Sequence, residues 1–334
     1  MQWLTRLLFG LSVGMTAGAT YAEMSEIKIA QQYAASFLPL MIMERDGLVE
    51  KHAKALGIPD LKVSWVKLGG PSVLNDGVIS GAIQFIAVGP PSLITLWDKT
   101  KGNVQVKGVC AIATYPLYLN VRNPNIKSIS DFSGKDKIAL TSIKVSMQAV
   151  LLQMEAARLY GDANYTKFDP FTVGMSNPDG LLALINSSGG VDAHFTTSPF
   201  HEQELKLPGV RTLTTNYKIL GGPATALLVA TSTKFRDENP KSYRAFYDAM
   251  SEAITTINSD KRAAAKAFLE QTKDTKNTVD DVYAMISSPD YIFTQTPQKL
   301  GLIADFMYRI GSIKAKPASW KDMFFPEVQR MPGD

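Results

Sequence analysis

Strand and helix alternate over residues 27–102, and few features of a sequence restrict its fold more than that order. Residues 27–30 (IKIA) read as a first strand, which opens through QQYAASF into an apolar helix led by Pro39 and ended by Gly47. LVEKHAKALG is a short second helix closed by Gly57. In LKVSWVKL, Leu61, Val63, Trp65 and Lys67 alternate with Lys62, Ser64 and Val66 as a half-buried strand does. Gly69-Gly70-Pro71 then turns into PSVLNDGVISG, and AIQFIAVG forms the next strand. Gly89-Pro90-Pro91-Ser92 leads on into SLITLWDKTKG, with prolines in the first helical turn, where a missing N–H costs nothing. Repeated βα units predict a mainly parallel sheet flanked by helices on both faces. Ligand sites in such sheets lie at the carboxyl ends of the strands.

With 334 residues and 45% hydrophobic content, the chain is long enough for two cores. The strands VQVKGVCAIA and PLYLNVR flank Thr114-Tyr115-Pro116, where a crossover to a second domain is expected. In that domain, residues 138–161 run from a strand through a Thr/Ser turn into a helix whose Met147, Val150, Leu151 and Met154 share one face. The first N–H groups after Thr141 and Ser142 are expected to lack intrahelical partners. They would carry the positive end of the helix dipole among the hydroxyls of Thr141, Ser142 and Ser146. Such an end can hold an anion without an arginine, although hydroxyls that only cap a helix look the same in sequence. A strand, VDAHFT, opens into TSPF, and RTLTTNYKILGGPATALLVAT is read as strands returning to the first domain. The expected lobes are residues 23–115 with 220–334, and residues 116–219. Beyond Pro240 the pattern is helical, with Tyr243, Phe246, Tyr247, Met250, Ile254 and Ile257 on one face. The tail KPASWKDMFFPEV reads as an aromatic flap over a domain surface.

Residues 1–22 carry one Arg, an apolar run from Leu7 to Met15, and small residues before possible cleavage points after Ala19 or Ala22, the pattern of an export signal. The run is shorter than a membrane span needs and is broken by glycines. The expected location is therefore the periplasm. Without the signal, 34 basic face 31 acidic side chains. No basic run stands out, which argues against nucleic acid or a membrane surface as partner. Cys110 is the only cysteine and sits in an apolar run, so neither a disulfide nor a thiolate metal site is expected.

The loops at strand ends supply the candidate ligand-binding residues: Gln32, Tyr33, Ser36 and Phe37; Gly70 and Ser72; Gly89, Pro90 and Ser92; Thr141, Ser142 and Ser146; and His194, Thr197 and Phe200. Hydroxyls, amides, one imidazole and backbone N–H groups suffice for a small oxyanion when a helix end adds its charge. His52, His194 and His201 are too scattered for a metal triad, and no HExxH, GxSxG, GxGxxG or P-loop string occurs. Neither a catalytic residue nor a metal or cofactor is expected.

MERDGLVEKHAKALG, GAIQFIAVGPPSL, IKSISDFSGKDKIALTS, VDAHFTTSPF and MYRIGSIKAKPASWKDMF resemble, in order, the blocks of periplasmic solute-binding proteins of ABC importers for nitrate, sulfonate and taurine. The resemblance covers nearly all of the mature chain. It implies a two-lobed α/β receptor, each lobe a mainly parallel sheet flanked by helices and the two joined by two crossover strands. It also implies a small anionic ligand, an inner-membrane permease and ATPase as partners, and a monomer. Where related sequences read VDAW and WDPF, this one has His194 and Thr197, Ser198, Pro199 and Phe200, so two aromatic walls are absent. Two other roles fit the same fold: a thiamine-pyrimidine-related binding protein or enzyme, which in the enzyme's case implies a cytoplasmic protein, and a ligand-sensing subunit of a signalling receptor.

Overall fold

The computed structural model describes residues 23–186 and 190–334; the expected export signal lies outside the described residues. The strands are β1 (Glu26–Gln31), β2 (Lys62–Lys67), β3 (Phe85–Val88), β4 (Val106–Thr114), β5 (Tyr118–Val121), β6 (Lys137–Leu140), β7 (Thr172–Gly174), β8 (Val191–Thr196), β9 (Arg211–Thr215), β10 (Thr225–Ser232) and β11 (Ile292–Phe293). They form two sheets, one in the order β11-β4-β10-β3-β1-β2 and the other β7-β6-β8-β5-β9. Helices flank both, in the two-lobed architecture of periplasmic binding proteins.

In the first sheet β1 pairs in parallel with β2 and β3, while β10 is inserted antiparallel between β3 and β4. In the second, β6 pairs in parallel with β7 and β8, and β5 lies antiparallel between β8 and β9. The reversed strands β5 and β10 are the first in each sheet after the chain crosses from the other. Strand direction is thus mainly common within each lobe, whereas the hydrogen-bonded pairings are mixed.

Both crossings run close together and are tied by one buried side chain. Asn216 Oδ1 accepts from the Leu117 N–H at 2.9 Å, and its Nδ2 donates to the Tyr115 carbonyl at 3.1 Å. Residues 216–220, expected within returning strands, are a helix instead. Thr215 caps it by accepting from the Lys218 N–H at 3.2 Å, and Gly221 stops it at φ +71°. Five residues are too few for periodicity to reveal.

The first lobe's core forms where β3, buried along its whole length, meets the helix Pro240–Ser259. Phe85 stacks on Phe246 with centroids 3.8 Å apart and meets Phe235 edge-on at 5.3 Å. Each such ring contributes about 1.5–3 kcal/mol by burial. Tyr243, Met250, Ile254 and Ile257 are buried on the same helical face. The aromatic tail lies over β4, where Phe324 covers Gly108 so closely that a Cβ there would meet the ring at 2.4 Å. Cys110 is buried beneath, and burial pushes its thiol up to about 12.

Candidate functional site

The carboxyl ends of β1, β2 and β3 and the turns that follow them face the turns of the second lobe, and the two sets touch. Ala35 N–H donates to the Ser198 carbonyl at 3.1 Å and Asn177 Nδ2 to the Tyr33 carbonyl at 3.2 Å. Ser72 Oγ donates to Ser142 Oγ at 3.2 Å, and Ser92 Oγ to the Val145 carbonyl at 3.3 Å. Gly70 is pressed against the second lobe, since a Cβ there would stand 2.2 Å from the Thr141 carbonyl oxygen. The lobes are shut.

Between them lies a cavity of about 40 Å³, room for roughly three waters. Gln32, Phe37 and Gly89 line it from the first lobe; Thr141, Ser146, Gln148, Asn177 and Thr197 line it from the second; Tyr115 closes it at the crossing. No charged side chain is among them. Tyr115 stays a neutral phenol because burial pushes its pKa up to about 12. Gln32 Nε2 is held by the Ala87 carbonyl at 3.3 Å.

The helix that begins the second lobe's contribution is Met147–Tyr160, and its start departs from expectation. Ser146 is the cap, accepting from the Ala149 N–H at 3.2 Å, and the first full-turn bond runs from the Val150 N–H to the Ser146 carbonyl at 3.1 Å. Thr141 and Ser142 therefore stand a full turn before the helix, on a loop in which Lys144 adopts φ +67°. The N–H groups left without an intrahelical acceptor are those of Met147 and Gln148, and both residues line the cavity. Thr141 Oγ1 donates to Gln148 Oε1 at 3.3 Å, which leaves the Gln148 amide hydrogens as donors.

Two buried side-chain atoms among the lining residues have no partner. Thr197 Oγ1 and Asn177 Oδ1 are buried and unbonded, and a buried polar atom left so costs about 1–3 kcal/mol. A guest with both a donor and an acceptor would recover that cost.

Of the expected site residues, Gln32, Phe37, Gly89, Thr141, Ser146 and Thr197 meet on this cavity. Gly70, Ser72, Ser92 and Ser142 form contacts between the lobes. Pro90 opens the helix Pro90–Lys99 and Ser36 is fully buried; neither is among the residues that line this cavity. Tyr33 and Phe200 line a neighbouring, larger cavity of about 370 Å³. His194 lies elsewhere. It lines neither cavity: its ring is buried with Nδ1 2.6 Å from Glu204 Oε1 and Nε2 against Gly180, where a Cβ would come within 2.4 Å. Asn120 Nδ2 donates to the other oxygen of Glu204 at 2.8 Å and also touches His201, whose pKa burial lowers to about 4. A fully buried carboxylate needs such partners. Gln148 and Asn177 were not foreseen, although both stand in the first turn of a helix that points its N-terminus at the cleft, a placement the sequence does signal.

A family model described as NMT1/THI5 like matches residues 59–264. Among curated proteins, none matches this sequence. Solved structures share the fold. The alkanesulfonate-binding protein of Xanthomonas axonopodis pv. citri, bound to MOPS, superposes with TM-score 0.66 at 17% identity, over 89% of this chain and 96% of that one. The periplasmic aliphatic sulphonate-binding protein of Escherichia coli gives 0.63 at 17% identity, over 91% and 98%. The periplasmic nitrate-binding protein of Synechocystis PCC 6803 gives 0.63 at 15%, over 90% and 84%.

Proposed function

The chain belongs to the NMT1/THI5-like family, and from that premise we propose that it is the substrate-binding subunit of an ABC importer. It captures a small organic or inorganic anion, of the sulfonate, nitrate or taurine kind, between a lobe of residues 23–115 and 220–334 and a lobe of residues 116–219. Residues 1–22 direct export and are removed after Ala19 or Ala22. The mature monomer then works in the periplasm and delivers its ligand to an inner-membrane permease and ATPase.

The observation that carries this reading is the small cavity between the lobes, to which both contribute neutral polar groups and which Met147 and Gln148 line from the first turn of a helix. Hydrogen bonds to a charged group are worth about 1.5–3 kcal/mol each, so a few such donors hold a small oxyanion without a buried cation. The absence of a charged side chain from that lining favours one alternative, a neutral pyrimidine held by the amides of Gln32, Gln148 and Asn177. A thermal-shift panel of nitrate, sulfonates, taurine, carboxylates and pyrimidines tests the choice. A true ligand at a hundredfold excess over Kd adds about 2.7 kcal/mol of stability. Sulfonate or nitrate alone should raise Tm; a response to pyrimidines alone selects the alternative, and turnover of any member overturns the binding-protein reading.

A further inference from the structure

The larger cavity adjoins the small one, and its chemistry is different. At about 370 Å³ it is roughly nine times the size, and Gln32 and Ala34 line both. Its apolar wall comes from both lobes: Tyr33, Met41 and Phe268 on one side, Leu181, Leu182 and Phe200 on the other. Tyr33 and Leu182 remain 41% and 50% exposed. Three cations, Lys67, Lys273 and Lys276, stand on the same lining with one acid, Asp274. That acid is already engaged. Its Oδ1 accepts from the Lys276 N–H at 2.8 Å and its Oδ2 from Asn277 Nδ2 at 2.6 Å. None of the three lysines joins an ion pair among the described residues.

We propose that this cavity is the second compartment of the ligand site, and that it selects an organic anion with an apolar body and a second anionic group at its far end. The inference rests on the reading of the cleft as a ligand site and narrows its substrate class. The small cavity holds a head group of a few heavy atoms and nothing larger. Whatever the head is attached to must pass Gln32, and there it meets apolar side chains first and unpaired ammonium groups at the rim. An inorganic ion such as nitrate would use the inner compartment only.

Calorimetric titration of the mature chain with methanesulfonate, benzenesulfonate and 4-carboxybenzenesulfonate tests this. Benzenesulfonate should bind at least about tenfold more tightly than methanesulfonate, because its ring is buried against apolar walls. The carboxylate should add about threefold more, a gain that the variant Lys67→Gln/Lys273→Gln/Lys276→Gln abolishes and that 0.5 M salt erodes, as expected for exposed cations. The variant should melt like the parent and bind methanesulfonate unchanged. If methanesulfonate binds but the larger sulfonates bind no better, the second compartment is refuted while the importer reading stands. If the carboxylate gain is missing, or survives in the variant, the anionic far end is refuted. If none of the three binds, the second compartment is refuted, and the importer reading is then decided by nitrate and taurine in the thermal-shift panel.

Discussion

Two clusters of polar side chains lie within the second lobe's reach, one at the cleft and one beneath its sheet, and they differ in what is left unpaired. Beneath the sheet, Glu204 takes His194 and Asn120, Asn120 takes His201, and Thr212 Oγ1 donates to Asn120 Oδ1 at 2.9 Å. The one atom left over, His194 Nε2, is sealed against Gly180 with no room beside it. At the cleft, Thr197 Oγ1, Asn177 Oδ1 and two helix N–H groups are left over around a space both lobes share. Burial and polarity are common to both. What separates scaffold from candidate site is spare bonding capacity next to empty volume.

The sharpest way to break that contrast is to cut the sealed cluster. Glu204→Ala strips His194 and Asn120 of their shared acceptor. Removing one partner of a buried pair costs about 3–5 kcal/mol, and at roughly 2–4 °C per kcal/mol for a chain of this order Tm should drop by about 6–20 °C. Glu204→Gln keeps an acceptor and should lose less, which preserves the test if the Ala variant does not fold. The folded fraction should bind with unchanged Kd. A large loss of affinity at intact Tm would mean that the sealed cluster belongs to the site.

A smaller effect, confined to binding, is expected at Gly70. Its φ of −170° is extended backbone open to any residue, so Gly70→Ala is strained only when the lobes shut and its Cβ meets the Thr141 carbonyl at 2.2 Å and Ser142 Oγ at 2.9 Å. Ligand-free Tm should stay put while Kd rises at least about tenfold, or 1.4 kcal/mol. Small-angle scattering should then show no ligand-induced compaction. Normal affinity in this variant would show that tight closure is not needed for binding.

The same contrast explains what could be read from the sequence. The βα order of residues 27–102 and the apolar face of the helix Pro240–Ser259 are local patterns, and they are visible because one face is buried and the other is not. β8 is buried on both faces, so alternation cannot say which way His194 points; only the packing of Gly180 and Glu204 decides it. The reversal of β5 and β10 is likewise invisible, because strand direction is set by partners distant in sequence. At the cleft, the hydroxyl-bearing turns are plain in the sequence. Which hydroxyls are spent on capping and which are spare depends on where the helix starts, a matter of one turn. That turn places Ser146, rather than Thr141 or Ser142, at the cap.

The finest test of the comparison lies within the cleft itself, between Ser146 and Thr197, two hydroxyls on one cavity. Ser146 Oγ is spent on the Ala149 N–H, so Ser146→Ala should cost about 1 kcal/mol of stability, a few degrees in Tm, and leave Kd within about twofold. Thr197 Oγ1 has no protein partner, so Thr197→Val, which keeps the shape and removes the hydroxyl, should leave the ligand-free Tm equal or slightly higher. Its Kd should rise about five- to tenfold, the worth of one hydrogen bond to the guest. The two variants must therefore fail in opposite columns, one in stability and the other in affinity. If Ser146→Ala binds poorly while melting normally, the cap is itself a ligand group. If Thr197→Val melts early and binds normally, Thr197 has a structural partner in solution and belongs with the sealed cluster.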